Sequence, residues 1–199
     1  MSRAKDRFRS LWDATRAVAD GIPAVRLFAA NLPQDPTFVA PKANRLPVHP
    51  RLRGMLARSG VQTRDLANAV VDVIDDAEWQ QTYSEAQVGR TFLDAYGWFN
   101  IMSPDGPFLS EHWRIALAVW GKGLIYPAHA HIPEELYFVV AGGALFHAAD
   151  RQSEWLGPGD TRHHPSNVQH GMEFGDTPLV ALAFWKGEAL MEASTLAPE

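Results

Sequence analysis

The chain has 199 residues, 46% of them hydrophobic and 21% charged, enough to bury a core without staples, and this excludes disorder as its default state. It contains 0 cysteines, which removes disulfides, thiolate zinc sites and thiolate nucleophiles together. A formal net charge of -5 argues against a nucleic-acid partner held by a general basic field, and no apolar run is long enough to cross a bilayer.

The opening stretch, MSRAKDRFRSLWDATRAVAD, lacks the continuous apolar core of a signal peptide, so a cytoplasmic protein is expected. Phe8, Leu11, Trp12, Thr15, Val18 and Ile22 follow the spacing of one helix face, and Gly21 and Pro23 punctuate its end. A connector with Pro33, Pro36, Pro41, Pro47 and Pro50 follows, through which no long helix or central strand can run. Leu66, Val70, Val73, Ile74 and Ala77 predict a second helix. Ser84 and Gln87 are spaced as a capping box for a third, running through Phe92 and Leu93. From Trp98 onward, short β-prone runs alternate with Gly and Pro, the texture of an antiparallel sandwich or barrel. The expected organisation is a helical extension over residues 1–97 packed on a β-barrel over residues 98–199 that carries the site.

Within the barrel, His129 and His131 are two apart, so an extended strand projects both to one face. Glu135 and Tyr137 repeat that geometry on the next strand, with Ile132, Pro133 and Glu134 available for the turn. His170, after Pro165-Ser-Asn167, can supply a third imidazole from a distant strand. Three histidines and one carboxylate suit a borderline divalent metal and leave positions open for water or substrate.

At these residues the sequence resembles the cupin superfamily. Gly123, His129, His131, Glu135 and Gly142 match its first motif without a gap, and Gly159, Pro165 and His170 match its second. Asn167 stands where glycine is usual and Phe174 where asparagine is usual. The resemblance implies a mainly β fold, a jelly-roll (double-stranded β-helix) cupin barrel.

Leu-Ile-Tyr126-Pro-x-His129-x-His131, then Glu135-x-Tyr137, together with Phe92-Leu-x2-Tyr96-Gly97-Trp98 upstream and Leu182-Ala-Phe-Trp185 downstream, is similar more narrowly to the cupin-type dimethylsulfoniopropionate (DMSP) lyases, especially the Q type. This implies a carbon–sulfur lyase that cleaves DMSP, a small zwitterionic sulfonium, to dimethyl sulfide and acrylate with one bound divalent transition metal (zinc, iron, manganese, cobalt or nickel). By the same resemblance His131, Glu135 and His170 are metal ligands with His129 beside them. Tyr137 is the candidate base, and Tyr126 a second active-site phenol.

A tyrosine base has to be brought below its free pKa of about 10 by a nearby cation. The sulfonium end calls for an aromatic wall, for which Trp98, Trp113, Trp120, Phe138 and Trp185 are available. His163 and His164 are expected at the surface or behind the ligands, and Glu134 in solvent; His49, His112 and His147 carry no assignment. An iron-dependent cupin dioxygenase, a cupin lyase acting on another small carboxylate and a non-catalytic sensor share the same ligands and stay open. Neither nucleic acid nor membrane is expected as a partner, and a homodimer is left open.

Overall fold

The computed structural model describes residues 3–197. Helix α1 (Arg3–Gly21) buries Phe8, Leu11, Trp12, Thr15 and Val18, the face that the spacing predicts. Pro23 does more than stop it: it occupies the first turn of a new short helix, α2 (Pro23–Phe28), where a missing N–H costs nothing. Pro50 plays the same part in α3 (His49–Leu56). Helix α4 (Arg64–Val73) is shorter than its apolar face; Ile74 and Ala77 are buried in the turn that follows. The third predicted helix is instead two four-residue turns, α5 (Glu85–Val88) and α6 (Arg90–Leu93). Gly89 between them adopts φ 78, outside helical space, although the Ser84 amide donates to Gln87 Oε1 at 2.9 Å as a capping box requires.

Among the described residues eleven strands follow: β1 (Tyr96–Ser103), β2 (Phe108–Leu109), β3 (Trp113–Trp120), β4 (Ile125–Ala130), β5 (Glu134–Gly142), β6 (Ala144–Ala148), β7 (Arg151–Leu156), β8 (Thr161–His164), β9 (His170–Glu173), β10 (Leu179–Lys186) and β11 (Thr195–Leu196). They form two sheets, ordered β2-β1-β3-β10-β5-β8 and β11-β4-β9-β6-β7. Every pairing is antiparallel except that of β1 with β2.

The larger sheet is apolar on both faces, and strand parity separates two cores. Leu117, Phe138, Leu182 and Phe184 point outward into a cluster with Leu11 and Trp12 of α1, Leu52 of α3 and Val70 of α4. Tyr137, Val139, Ala181 and Ala183 point inward, to meet Tyr126, Phe146 and Met172 of the smaller sheet. Tyr83 and Phe92 also join this inner cluster, so the segment before β1 closes part of the barrel.

Two backbone positions explain the glycine pattern of the turns. Gly142 has φ 72, and a Cβ there would lie 1.7 Å from the Pro178 carbonyl oxygen. Asn167 has φ 59, the left-handed region that asparagine tolerates better than other side chains, so the departure from glycine at this position keeps the turn. Phe174, the other departure, is buried and stacks on Trp120 at 5.9 Å.

Candidate metal centre and its pocket

The site begins as a row of residues in register across the larger sheet. Arg114 on β3 is paired with Trp185 on β10, Trp185 with Glu135 on β5, and Glu135 with His164 on β8. The next row inward carries Ala116, Ala183 and Tyr137. On the facing sheet His129 of β4 is the direct partner of His170 of β9. The centre therefore forms where the two sheets oppose each other, one contributing imidazoles and the other a carboxylate.

The ligating nitrogens of His129, His131 and His170 lie within 4.8 Å of one another, and all three residues are buried. Their Nδ1 atoms are committed elsewhere. His129 Nδ1 donates to the Pro127 carbonyl at 2.9 Å, His131 Nδ1 to Pro133 at 2.8 Å and His170 Nδ1 to Val168 at 2.8 Å. A carbonyl can only accept, so these bonds fix the tautomer and present each Nε2 as a donor atom for a metal. Each bond is local, closing over two residues, so the backbone turn that places the ring also orients it.

Glu135 Oε2 lies 3.1 Å from His131 Nε2 and 3.1 Å from His170 Nε2. Trp185 Nε1 donates to Glu135 Oε1 at 2.6 Å, which holds the carboxyl in place at 1% exposure. Two bare imidazole nitrogens facing a carboxylate oxygen repel unless a proton or a cation lies between them. Donors each about 2.1 Å from a common ion stand about 3.0–3.4 Å apart. The spacings from Glu135 to His131 and His170 fit a shared metal on both counts, and the buried histidine triad is able to hold one.

Burial opposes ionisation of Glu135, but His131 and then His170 outweigh it and hold its pKa well below the usual carboxylate range. Burial likewise opposes the charge on His131, and its bond to Glu135 more than offsets that, raising its pKa. His129 has no such partner, and burial pulls its pKa down to about 3.

Beside the cluster is a cavity of about 240 Å³ whose wall includes Tyr96, Trp98, Arg114, Trp120, Tyr126, Glu135, Tyr137 and Trp185. The alanines at 116, 118 and 183 leave its floor open. Of the aromatic residues available from the sequence, Trp98, Trp120 and Trp185 line it. Phe138 and Trp113 do not: strand parity puts Phe138 in the outer core, and Trp113 packs against Phe28.

Tyr126 lies inside, although it is three residues before His129. A register shift between the two turns the odd spacing into a shared face. Its hydroxyl is 3.2 Å from that of Tyr83. All four tyrosines of the chain, at 83, 96, 126 and 137, converge on this inner cluster. His131 lies just past the end of β4 rather than on it, yet its ring joins the cluster and stacks on Trp185 at 4.2 Å.

Sequence reasoning left His164 open between the surface and a place behind the ligands, and it missed Arg114 and the segment after β10. His164 is 1% exposed and stacks on His170 at 3.9 Å, with no hydrogen-bond partner on either ring nitrogen. Arg114 puts a guanidinium on the cavity wall. The chain after β10 passes over the mouth, with Met191, Glu192, Ala193 and Ser194 lining it and β11 paired to β4. Only the register of strands far apart in sequence brings these residues to the site. By contrast Glu134 is half-exposed and bonds His163 at 3.1 Å, and His147 pairs with Ser153 and Glu173 on the outside.

Known proteins share this architecture. A chain from the crystal structures of the DMSP lyases RdDddP and RnDddQII superposes with a TM-score of 0.94 at 36% identity, over 98% of this chain and 100% of that one. The DMSP lyase DddQ of Ruegeria pomeroyi superposes with a TM-score of 0.90 at 29% identity, over 96% of each chain. A cupin-2 domain from Rhodospirillum rubrum shares the fold at a TM-score of 0.50 and 15% identity, over 62% of this chain and 76% of its own. In sequence, the Ruegeria pomeroyi DddQ is 36% identical over 112 residues, and the match spans 56% of either protein. Residues 23–181 match the family model for dimethylsulfoniopropionate lyase, and the fold is a cupin. With four-fifths of its length inside that match, and a fold shared over 98% of its length with a solved lyase chain, the chain belongs to the DMSP lyase family.

Proposed function

We propose that the protein cleaves DMSP to dimethyl sulfide and acrylate by base-catalysed β-elimination, in the cytoplasm. The helical segment 1–97 supports a barrel, 98–199, that carries the site. His129, His131, Glu135 and His170 hold one divalent transition metal, Tyr137 is the base and Tyr126 the second phenol. The observation that carries this reading is the convergence of three oriented Nε2 atoms and one buried carboxylate beside a phenol in an open cavity, in a chain of this family.

A cation held by these residues would supply Lewis-acid stabilisation of negative charge building on the substrate carboxylate. Tyr137 Oη takes the proton from the carbon next to the carboxylate. The electron pair of that C–H bond becomes the carbon–carbon double bond, and the carbon–sulfur bond breaks with its pair leaving on neutral dimethyl sulfide. Burial, and next the Glu135 carboxylate, push the Tyr137 pKa well above 10, so a working phenolate depends on positive charge at the histidines. Tyr126, Tyr96 and Trp120 offer ring faces to the sulfonium.

The test is headspace dimethyl sulfide from metal-loaded protein given DMSP, with oxygen uptake followed in parallel. Dimethyl sulfide without oxygen consumption is expected; oxygen-dependent turnover without it would overturn the reading in favour of a dioxygenase. His131→Ala and His170→Ala should each lose most of the bound metal, and full occupancy in both would remove the ligand assignment.

A further inference from the structure

Arg114 is the one cationic side chain on the wall of the cavity beside the histidine cluster among the described residues, and nothing in the reaction above uses it. Its guanidinium is clamped between two indoles, 4.6 Å from the ring centre of Trp98 and 4.8 Å from that of Trp185. Nε donates to Asn100 Oδ1 at 3.2 Å and Nη1 to the Leu190 carbonyl at 3.0 Å. A guanidinium has five N–H donors, so these two bonds fix its plane and leave donors over. Among the described residues no carboxylate lies within 4.0 Å of it; Glu192, also on the cavity wall, is exposed and forms no ion pair with it. A mostly buried cation that faces a cavity and touches no carboxylate, with Asp105 and Glu135 acting on it only from a distance, is a costly arrangement unless a ligand completes it.

Resting on the lyase reading, we propose that Arg114 is the specificity-determining residue for the substrate's carboxylate, and that it sets the direction in which the substrate lies. Arg114 shares a sheet row with Trp185 and Glu135, and the adjacent row carries Ala116, Ala183 and Tyr137. Two residues along a strand are about 6.6–6.8 Å. A carboxylate engaged by Arg114 therefore lies at the end of the alanine floor, with Tyr137 in the next row. It also turns the sulfonium end away from the guanidinium. The opposite orientation would set two cations face to face. Arginine rather than lysine suits the task because its planar fork donates in a fixed direction, stacks on indole and can hold one carboxylate oxygen while the other stays free for the cation. The class of ligand is a short monocarboxylate with a cationic or apolar far end.

The experiment is an NMR titration of the full chain, as purified and again after chelation, with propionate and with the neutral isostere propionamide. The indole N–H signals of Trp98 and Trp185 are the readout. Chelation matters because carboxylate preference in metal-free protein cannot come from a bound cation. Propionate should bind at least 10-fold more tightly than propionamide in both preparations, and Arg114→Gln should weaken propionate by about 10- to 100-fold. Arg114→Lys, which keeps the charge and loses the fork, should fall between. Equal affinity for the two ligands in chelated wild type overturns the assignment even if Arg114→Gln fails to fold. So does unchanged propionate affinity in a folded Arg114→Gln. Absence of dimethyl sulfide in the headspace assay with the propionate preference intact would remove the lyase reading and leave this one standing. Dimethyl sulfide release with an unchanged KM in Arg114→Gln would do the reverse.

Discussion

Two buried side chains, Tyr137 and His164, face each other across 5.9 Å and test opposite ideas about what a buried polar group is for. Tyr137→Phe removes one oxygen and keeps the ring contacts with Trp120 and Phe146. Losing a general base costs about 10²-fold or more, so dimethyl sulfide release should fall by at least that much while bound metal changes little. Because the phenolate is the working form, wild-type turnover should climb toward alkaline pH; a near wild-type rate in Tyr137→Phe would hand the base role to Tyr126. His164 has two unpartnered ring nitrogens, and burial, helped by His170, pulls its pKa down to about 2. An unfolded histidine titrates near 6.5, so between about 6.5 and 2 the unfolded chain binds a proton that the folded chain refuses. Stability must then fall as pH drops below about 6.5, and His129, held at about 3, adds to the same slope. His164→Leu removes one such group and one unsatisfied pair of nitrogens. Thermal melts of metal-free protein should show a higher Tm for His164→Leu and a shallower loss between pH 6.5 and 4. A variant less stable than wild type at every pH would mean that the imidazole has a partner in solution.

The strands show how much of the site the sequence carries and where it stops. Parity places Glu135 and Tyr137 on one face of β5, and the spacing alone predicts that. Parity does not place Tyr126, because the register shift between Tyr126 and His129 breaks the alternation, nor His131, which lies past the end of its strand. Arg114, Trp185 and His164 belong to the site through pairing with strands far away in sequence, and no local pattern encodes that register. Turn chemistry was legible where a motif glycine has a reason to be glycine. Gly142 ends β5 with φ 72, packed so closely on Pro178 that a methyl group would overlap its carbonyl. Gly142→Ala should therefore shift β5 against β10 and cost more stability than the ordinary 1–2 kcal/mol of a glycine change, about 3 kcal/mol or more. Gly175→Ala, which meets nothing within 4 Å, is the control expected to be nearly silent. Chemical denaturation of the two variants separates them, and equal midpoints would mean that the turn relaxes freely.

At the scale of the molecule, the larger sheet poses a problem that the smaller one does not. It presents Leu117, Phe138, Leu182 and Phe184 on the side away from the cavity, an apolar face as continuous as the one that lines the interior. An open antiparallel sheet ordinarily keeps one face in water, and this one cannot. The helices before β1 solve the problem by covering that face with Trp12, Leu52 and Val70, so the early helical spacing and the later strand texture describe two halves of one core. The sequence shows both textures, but their mutual dependence appears only once both faces of the sheet are known to be apolar. The same segment also reaches the inside of the barrel through Tyr83, which bonds Tyr126 at 3.2 Å, and Phe92, which packs on it at 5.8 Å. A fragment starting at residue 95 keeps all four proposed metal ligands and the proposed base, yet exposes the outer apolar face and unplugs the inner cluster. It should express as aggregate, or as a loosely packed state that binds a hydrophobic dye and lacks the near-ultraviolet circular dichroism of the whole chain. Supplying residues 3–94 in trans should recover part of the soluble fraction, since the missing contacts are noncovalent. A fragment that is soluble and monomeric, with the Tm of the whole chain, would show that the barrel stands alone and that the helices serve some purpose other than covering it.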